Sequence, residues 1–149
     1  MGTQLSEIYD LFMMKVTDYR LIDLFTTSET DFENYLQAWL IFSINDFSVC
    51  DQSLLYSDVT NEFSVILTSD NKTMLATLMM KYWLEKSVND VTQFQLHITD
   101  RDFKMASEAQ NLREKAAWLN IIKEQCSQML VDYGLKRVEW SDWYNQDFQ

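Results

Sequence analysis

The chain has 149 residues, 47% of them hydrophobic and 14% aromatic, and a net charge of −11 from 23 acidic and 12 basic side chains. So much apolar bulk excludes a disordered acidic tail, and the negative charge sets the chain against general adhesion to DNA or to an anionic membrane. There is no proline and only two glycines, against roughly seven and ten expected at this length; many-stranded sandwiches and barrels lose their corner residues, so long helices joined by Asp, Asn, Ser and Thr are predicted.

Leu5, Ile8, Tyr9, Phe12, Val16 and Tyr19 recur at three- and four-residue steps and predict a first helix from about Gln4 to Arg20. Leu21 to Phe25 reads as an apolar link and Thr26 to Thr30 as a loop. Thr30 and Glu33 fit a capping box, so a second helix is expected from there to about Asp46–Cys50, burying Phe32, Tyr35, Leu36, Trp39, Leu40 and Phe47 with Ile44 near the seam. Cys50 to Asn61 is a polar loop pinned by Leu54, Leu55 and Tyr56, and Phe63 to Leu67 is too short to assign by period. Thr68 or Ser69 should cap a third helix with Met74, Leu75, Leu78, Met79, Tyr82 and Trp83 on its inner face, and Lys81 and Lys86 complementing its C-terminal end. Val91 to Thr99 alternates apolar with polar from Phe94 to Ile98, the period of a strand.

Ser107 with Gln110 makes a second capping box, opening a helix whose stripe runs Ala109, Leu112, Ala116, Leu119, Ile122, Cys126, Met129 or Leu130, and Tyr133, with Gly134 as its stop. At about 1.5 Å per residue it is on the order of 40 Å long, longer than a domain of this size is wide, so part of it is expected to need a partner. Val138 and Trp140 share a face if the rest is extended, and this aromatic arm either adds a strand to a neighbour or folds over its own core. The fold class predicted is mainly α: a bundle of about four helices with a long C-terminal helix, short extended segments, a helical domain over 1–133 and an arm over 134–149.

Chemistry is sparse. Cys50 and Cys126 belong to no zinc pattern and read as free thiols of a reducing compartment. No apolar run nears the ~18 residues of a membrane span, no signal peptide is evident, and a soluble intracellular protein is expected. Met1 to Ser6 satisfies the loose N-myristoylation pattern, but helical periodicity begins inside it. His97 is the single histidine and lies in an apolar run without an assignable partner, so a structural role is expected rather than a base. Asp100-Arg101-Asp102 could hold Mg²⁺, although acidic residues at a helix start are expected from the dipole alone. Phosphate-loop, dinucleotide, zinc-protease and EF-hand patterns are missing. The expectation is a non-enzyme with no catalytic residue, cofactor or metal.

Four stretches together resemble a family of tailed-phage neck, or head–tail connector, structural proteins. They are Leu5 to Phe12 with Lys15 to Tyr19; Phe63 with Leu67-Thr68 and Leu75 to Leu84; Asp100 to Lys104; and Ser107 to Leu112. The Trp-rich ending from Gly134 has no counterpart. The resemblance implies a virion subunit, assembled in the host cytoplasm, that forms a homo-oligomeric ring against portal, neck or tail proteins and lets DNA pass through without sequence-specific binding. Carboxylates lining such a bore would repel phosphates and keep DNA from sticking. Arg101, Asp102 and Phe103 would form a loop docking on a neighbour, Phe103 as anchor, or Phe103 would staple its own helix start; Val138, Trp140, Trp143 and Tyr144 are the other interface candidates. The alternative is an acidic helical adaptor, such as a DNA-mimicking inhibitor of a basic host protein.

Overall fold

The computed structural model describes residues 1–97 and 105–138, the side chains at 91, 93–97 and 105–109 excepted. The element order is α1 (Leu5–Lys15), α2 (Tyr19–Thr27), α3 (Glu29–Asp46), β1 (Tyr56–Ser57), β2 (Glu62–Phe63), α4 (Ser69–His97) and α5 (Met105–Leu135). The mainly helical architecture expected from the missing turn residues is what forms. Strand pairing among the described residues is limited to the β1–β2 pair, with Tyr56 opposite Phe63, and to Gln4, which bridges to Glu62.

α4 is the axis of the bundle. Met74 to Met80 are buried without interruption, so this stretch must be enclosed on all sides. α1, α3 and α5 pack around it. Paired contacts fix their directions. Glu7 meets Lys72 at 2.9 Å and Asp18 meets Trp83 at 3.3 Å, so α1 runs parallel to α4. Asp46 meets Tyr82 at 2.6 Å while Asp51, farther along, meets Asn71 at 3.0 Å, so α3 runs antiparallel. Lys123 with Glu85 at 3.0 Å, and Tyr133 with Asn71 at 2.7 Å, make α5 antiparallel as well. Phe12, Leu36, Leu40, Phe47, Phe63, Leu75, Leu78 and Met79 fill the centre with almost no exposure, each contributing about 1.5–3 kcal/mol by leaving water.

The N-terminus is built in. Thr3 exchanges backbone hydrogen bonds with Phe63 and Val65, and its hydroxyl accepts from Leu67 N–H at 2.8 Å. A Cβ at Gly2 would stand 1.6 Å from the Phe63 carbonyl oxygen, so the close approach of the two segments requires glycine there. Asn61, at φ 51°, takes the left-handed position of the β1–β2 turn that Asn tolerates.

Several local expectations are corrected. The first helix does not reach Arg20: Val16 and Asp18 are extended, and the Asp18 carboxylate accepts from Arg20 N–H at 3.0 Å, capping a separate α2. The apolar link Leu21 to Phe25 is therefore helix, and Ser28 alone separates α2 from α3, closing one and capping the other by accepting from Asp31 N–H at 3.3 Å. The cap is Ser28, not Thr30. At α4 the Thr68 hydroxyl accepts from Asn71 N–H at 3.3 Å. That helix continues through the strand-like alternation to His97, so Lys81 and Lys86 lie mid-helix, where they pair with Asp46 and Asp90 rather than with the helix end. α5 begins at Met105, ahead of Ser107, and runs past Gly134 to Leu135, so Gly134 is not its stop. At 31 residues it spans about 46 Å.

Candidate functional site

The polar chemistry concentrates where the end of α5 meets the start of α4 and the loop after α3. The Tyr133 hydroxyl lies in hydrogen-bonding contact with the Asp51 carboxylate and with Asn71 Oδ1 at 2.7 Å, and accepts from Asp51 N–H at 3.2 Å. Asn71 is fully buried and donates to Asp51 Oδ1 at 3.0 Å and to Gln52 Oε1 at 2.8 Å. Gln52 in turn accepts from Thr68 N–H and donates to Ile66 C=O. Arg137 pairs with Asp51 at 3.1 Å and lies over the Tyr133 ring at 3.4 Å from its centroid. The hydrogen bonds from Tyr133 and Asn71, with the Arg137 charge, hold the Asp51 carboxyl down to about 2. Burial, followed by the hydrogen bond to Asp51, pushes Tyr133 up to about 12. Both groups keep one protonation state across the physiological range, so this cluster is a fixed clasp on the C-terminal end of α5 and offers no acid–base couple.

A second cluster joins α3 to α4. Asp46 accepts from Lys81 and, at 2.6 Å, from the Tyr82 hydroxyl. Burial raises the Asp46 carboxyl, but the two hydrogen bonds outweigh it and hold it below the ordinary range; Tyr82 is raised by burial and by that carboxylate. Among the described residues no group of three or more His, Cys, Asp or Glu could hold a metal ion.

What the molecule presents outward is more distinctive. Among the described side chains, the last buried one on α4 is Ser87 and the first on α5 is Leu119, so 88–90 and 92 of α4 and 110–118 of α5 are half-buried or exposed. Farther along α5, Ile121, Val131 and Leu135 are each about half exposed. At about 100° per residue they fall in one arc on the side opposite Leu119, Ile122, Cys126 and Tyr133. α5 thus has an inner apolar face that meets α4 and an outer apolar row that is about half exposed.

Beside this lies a cleft of about 570 Å³, lined by Lys15, Asp18, Tyr19 and Arg20 from α1 and α2, by Trp83 from α4, and by Lys115 and Trp118 from α5, among others. Trp83 donates to Asp18 Oδ2 at 3.3 Å and Arg20 pairs with Asp18 at 3.1 Å. Burial pushes the Asp18 carboxyl up, but the Arg20 and Trp83 contacts outweigh it and hold it below its usual range. Three cations face one carboxylate here, on a chain of net charge −11.

Of the residues singled out in the sequence, Arg101, Asp102, Phe103, Trp140, Trp143 and Tyr144 lie outside the described residues, as does the Asp100 to Asp102 pattern. His97 is the last residue of α4. Val138 is exposed and its N–H bonds to Leu135 C=O, closing the turn after α5. The Tyr133 clasp and the cleft were missed. The signal available for the cleft was the tripeptide Val16-Thr17-Asp18, two β-branched residues before a capping residue, which breaks α1 and turns α2 toward Trp83.

Comparison of the chain with protein-family models, with curated proteins and with solved structures finds no match to any of them.

Proposed function

We propose that the chain is a non-enzymatic structural subunit that completes itself by assembly, forming an oligomeric ring at the head–tail junction of a tailed phage, against portal, neck or tail proteins and with DNA passing through the bore. The observation that carries the assembly is the second apolar row of α5, Ile121, Val131 and Leu135, each about half exposed on the side opposite its buried face; among the described side chains none is buried over 88–90 and 92 of α4 or 110–118 of α5. Helices with unpartnered apolar surface are what an association interface supplies. The phage neck assignment rests on the resemblance, whose stretches Leu5 to Phe12 and Leu75 to Leu84 fall on the core-facing helices α1 and α4. The acidic charge suits a bore that must not retain phosphates.

Sedimentation velocity over a rising concentration series, with negative-stain imaging of the largest species, tests this reading. Closed rings with a central opening support it. A chain that stays monomeric at every concentration, and also when mixed with the products of adjacent genes, refutes it. The same charge favours a second reading, an acidic adaptor mimicking DNA; that reading requires a small particle that binds a basic protein and is displaced by DNA.

A further inference from the structure

We propose that the C-terminal arm of one copy, residues 139–149, docks through Trp140 and Trp143 in the cationic aromatic cleft of a second copy. This rests on the assembly reading above and names the contact that would build it.

The two surfaces match in chemistry. The arm reads Glu139-Trp140-Ser141-Asp142-Trp143-Tyr144-Asn145-Gln146-Asp147-Phe148-Gln149, with four aromatic rings, three carboxylates and no cation. The cleft offers Lys15, Arg20 and Lys115 for the carboxylates, and Tyr19, Trp83 and Trp118 for the rings. Tyr19 is 77% exposed and Trp118 41%, so apolar ring surface is open to a partner. Three of the twelve basic residues line this one cleft, which is the reverse of the charge over the chain as a whole. A volume of about 570 Å³ lies in the range of pockets that enclose a compact organic group, and the side chains of Trp140 and Trp143 are of that kind. Cation–π and ring-stacking contacts both become available to an indole placed there.

Reach decides which copy supplies the arm. α5 carries Trp118 and ends at Leu135, about 26 Å farther along its axis. The hydrogen bonds from Arg137 N–H to Gly134 C=O and from Val138 N–H to Leu135 C=O keep the chain turning at that end of the helix. From Val138, a fully extended chain carries Trp140 at most about 7 Å and Trp143 at most about 18 Å. Neither Cα spans the distance back to Trp118 of its own chain, so the tryptophans are assigned to a neighbour's cleft.

The test uses the full chain with the photo-crosslinking residue p-benzoylphenylalanine installed at Trp143, mixed with isotopically heavy wild-type protein. Crosslinks from light to heavy chains landing within residues 15–20, 83–87 or 115–118 are expected. Light-to-heavy crosslinks landing elsewhere overturn the docking while leaving assembly standing. Crosslinks confined within one chain overturn the exchange. No crosslinks, from a protein that sediments as a monomer, overturn both readings. In parallel, a fluorescent peptide of residues 138–149 should bind the full-length chain, diluted until it sediments as dissociated subunits, with an affinity that falls as salt rises. Lys15→Glu with Lys115→Glu should weaken it roughly tenfold, whereas Lys123→Glu, outside the cleft, should not. Equal binding by the cleft variant overturns the proposal.

Discussion

Asn71→Leu isolates the clasp that holds α5 to the rest of the bundle. The side chain is fully buried, donates to Asp51 and Gln52, and shares the single Tyr133 hydroxyl proton with the Asp51 carboxylate. Leucine matches its size but meets none of these. A net hydrogen bond contributes about 1 kcal/mol, and partners left buried and unpaired add to the loss, so about 2–3 kcal/mol is expected. For a domain of this length that is a drop in Tm of roughly 4–12 °C, read by far-ultraviolet circular dichroism at the helix band. Tyr133→Phe should cost less, because its ring stays packed edge-on against Phe47 at 4.8 Å and only the hydroxyl is lost. The double variant should fall short of the summed single effects by about 1 kcal/mol, since both singles break the same Tyr133–Asn71 contact. A Tm for Asn71→Leu within a degree of the parent would refute the clasp as a source of stability. Full additivity would refute the coupling.

Leu78→Ala, at a position enclosed by three helices, should cost about 2–5 kcal/mol, while Ile121→Ala on the outer row should change chain stability by less than about 0.5 kcal/mol; chemical denaturation at low protein concentration separates them. Asp51 gives a pH signature. Its folded-state pKa of about 2 lies below the ordinary 3.8, so its contribution is present above about pH 4 and is lost as pH falls toward 2. The Tm gap between the parent and Asp51→Asn should therefore be widest above pH 4 and close near pH 2; a gap independent of pH would count against the clasp's ionic character. Cys126 is buried, which pushes its thiol up, whereas Cys50 is half-buried, so a thiol reagent should modify Cys50 first in the native chain and reach Cys126 only on unfolding.

The helix faces were readable because their period is local. Leu5, Ile8, Tyr9, Phe12 and Val16 are buried as their spacing requires, and so are Phe32, Leu36 and Leu40, and Leu119, Ile122, Cys126 and Tyr133. Helix ends were less readable, because several residues compete to cap. Ser28 prevailed over Thr30, and Asp18 ended one helix by starting another. The extended-looking run to Ile98 misled because its alternation is a weak local preference, while α4 already had its antiparallel partner in α5 and continued as helix to His97. The clasp was not legible, and of the cleft only the helix break at Val16-Thr17-Asp18 was. Tyr133 lies 62 residues from Asn71 and 82 from Asp51, and the cleft draws on four helices, so neither exists before the chain has folded.

The placement of arm and cleft also constrains what assembly can look like. The arm leaves from the clasped end of α5, and the cleft opens about 26 Å back along the same helix, so donor and acceptor are different surfaces of one subunit. A contact between different surfaces is heterologous unless two copies exchange arms reciprocally. Reciprocal exchange closes at a dimer and leaves no cleft empty. One-way exchange leaves an arm and a cleft free at each step, and closes only when the rotation per subunit returns the last copy to the first, which is the symmetry of a ring. In either case the count of occupied clefts equals the count of subunits, so a complete assembly should not bind the 138–149 peptide, whereas the dissociated subunit should. That difference measures closure directly, and a ring that still took up one peptide per subunit would show that the arm is not what joins its members.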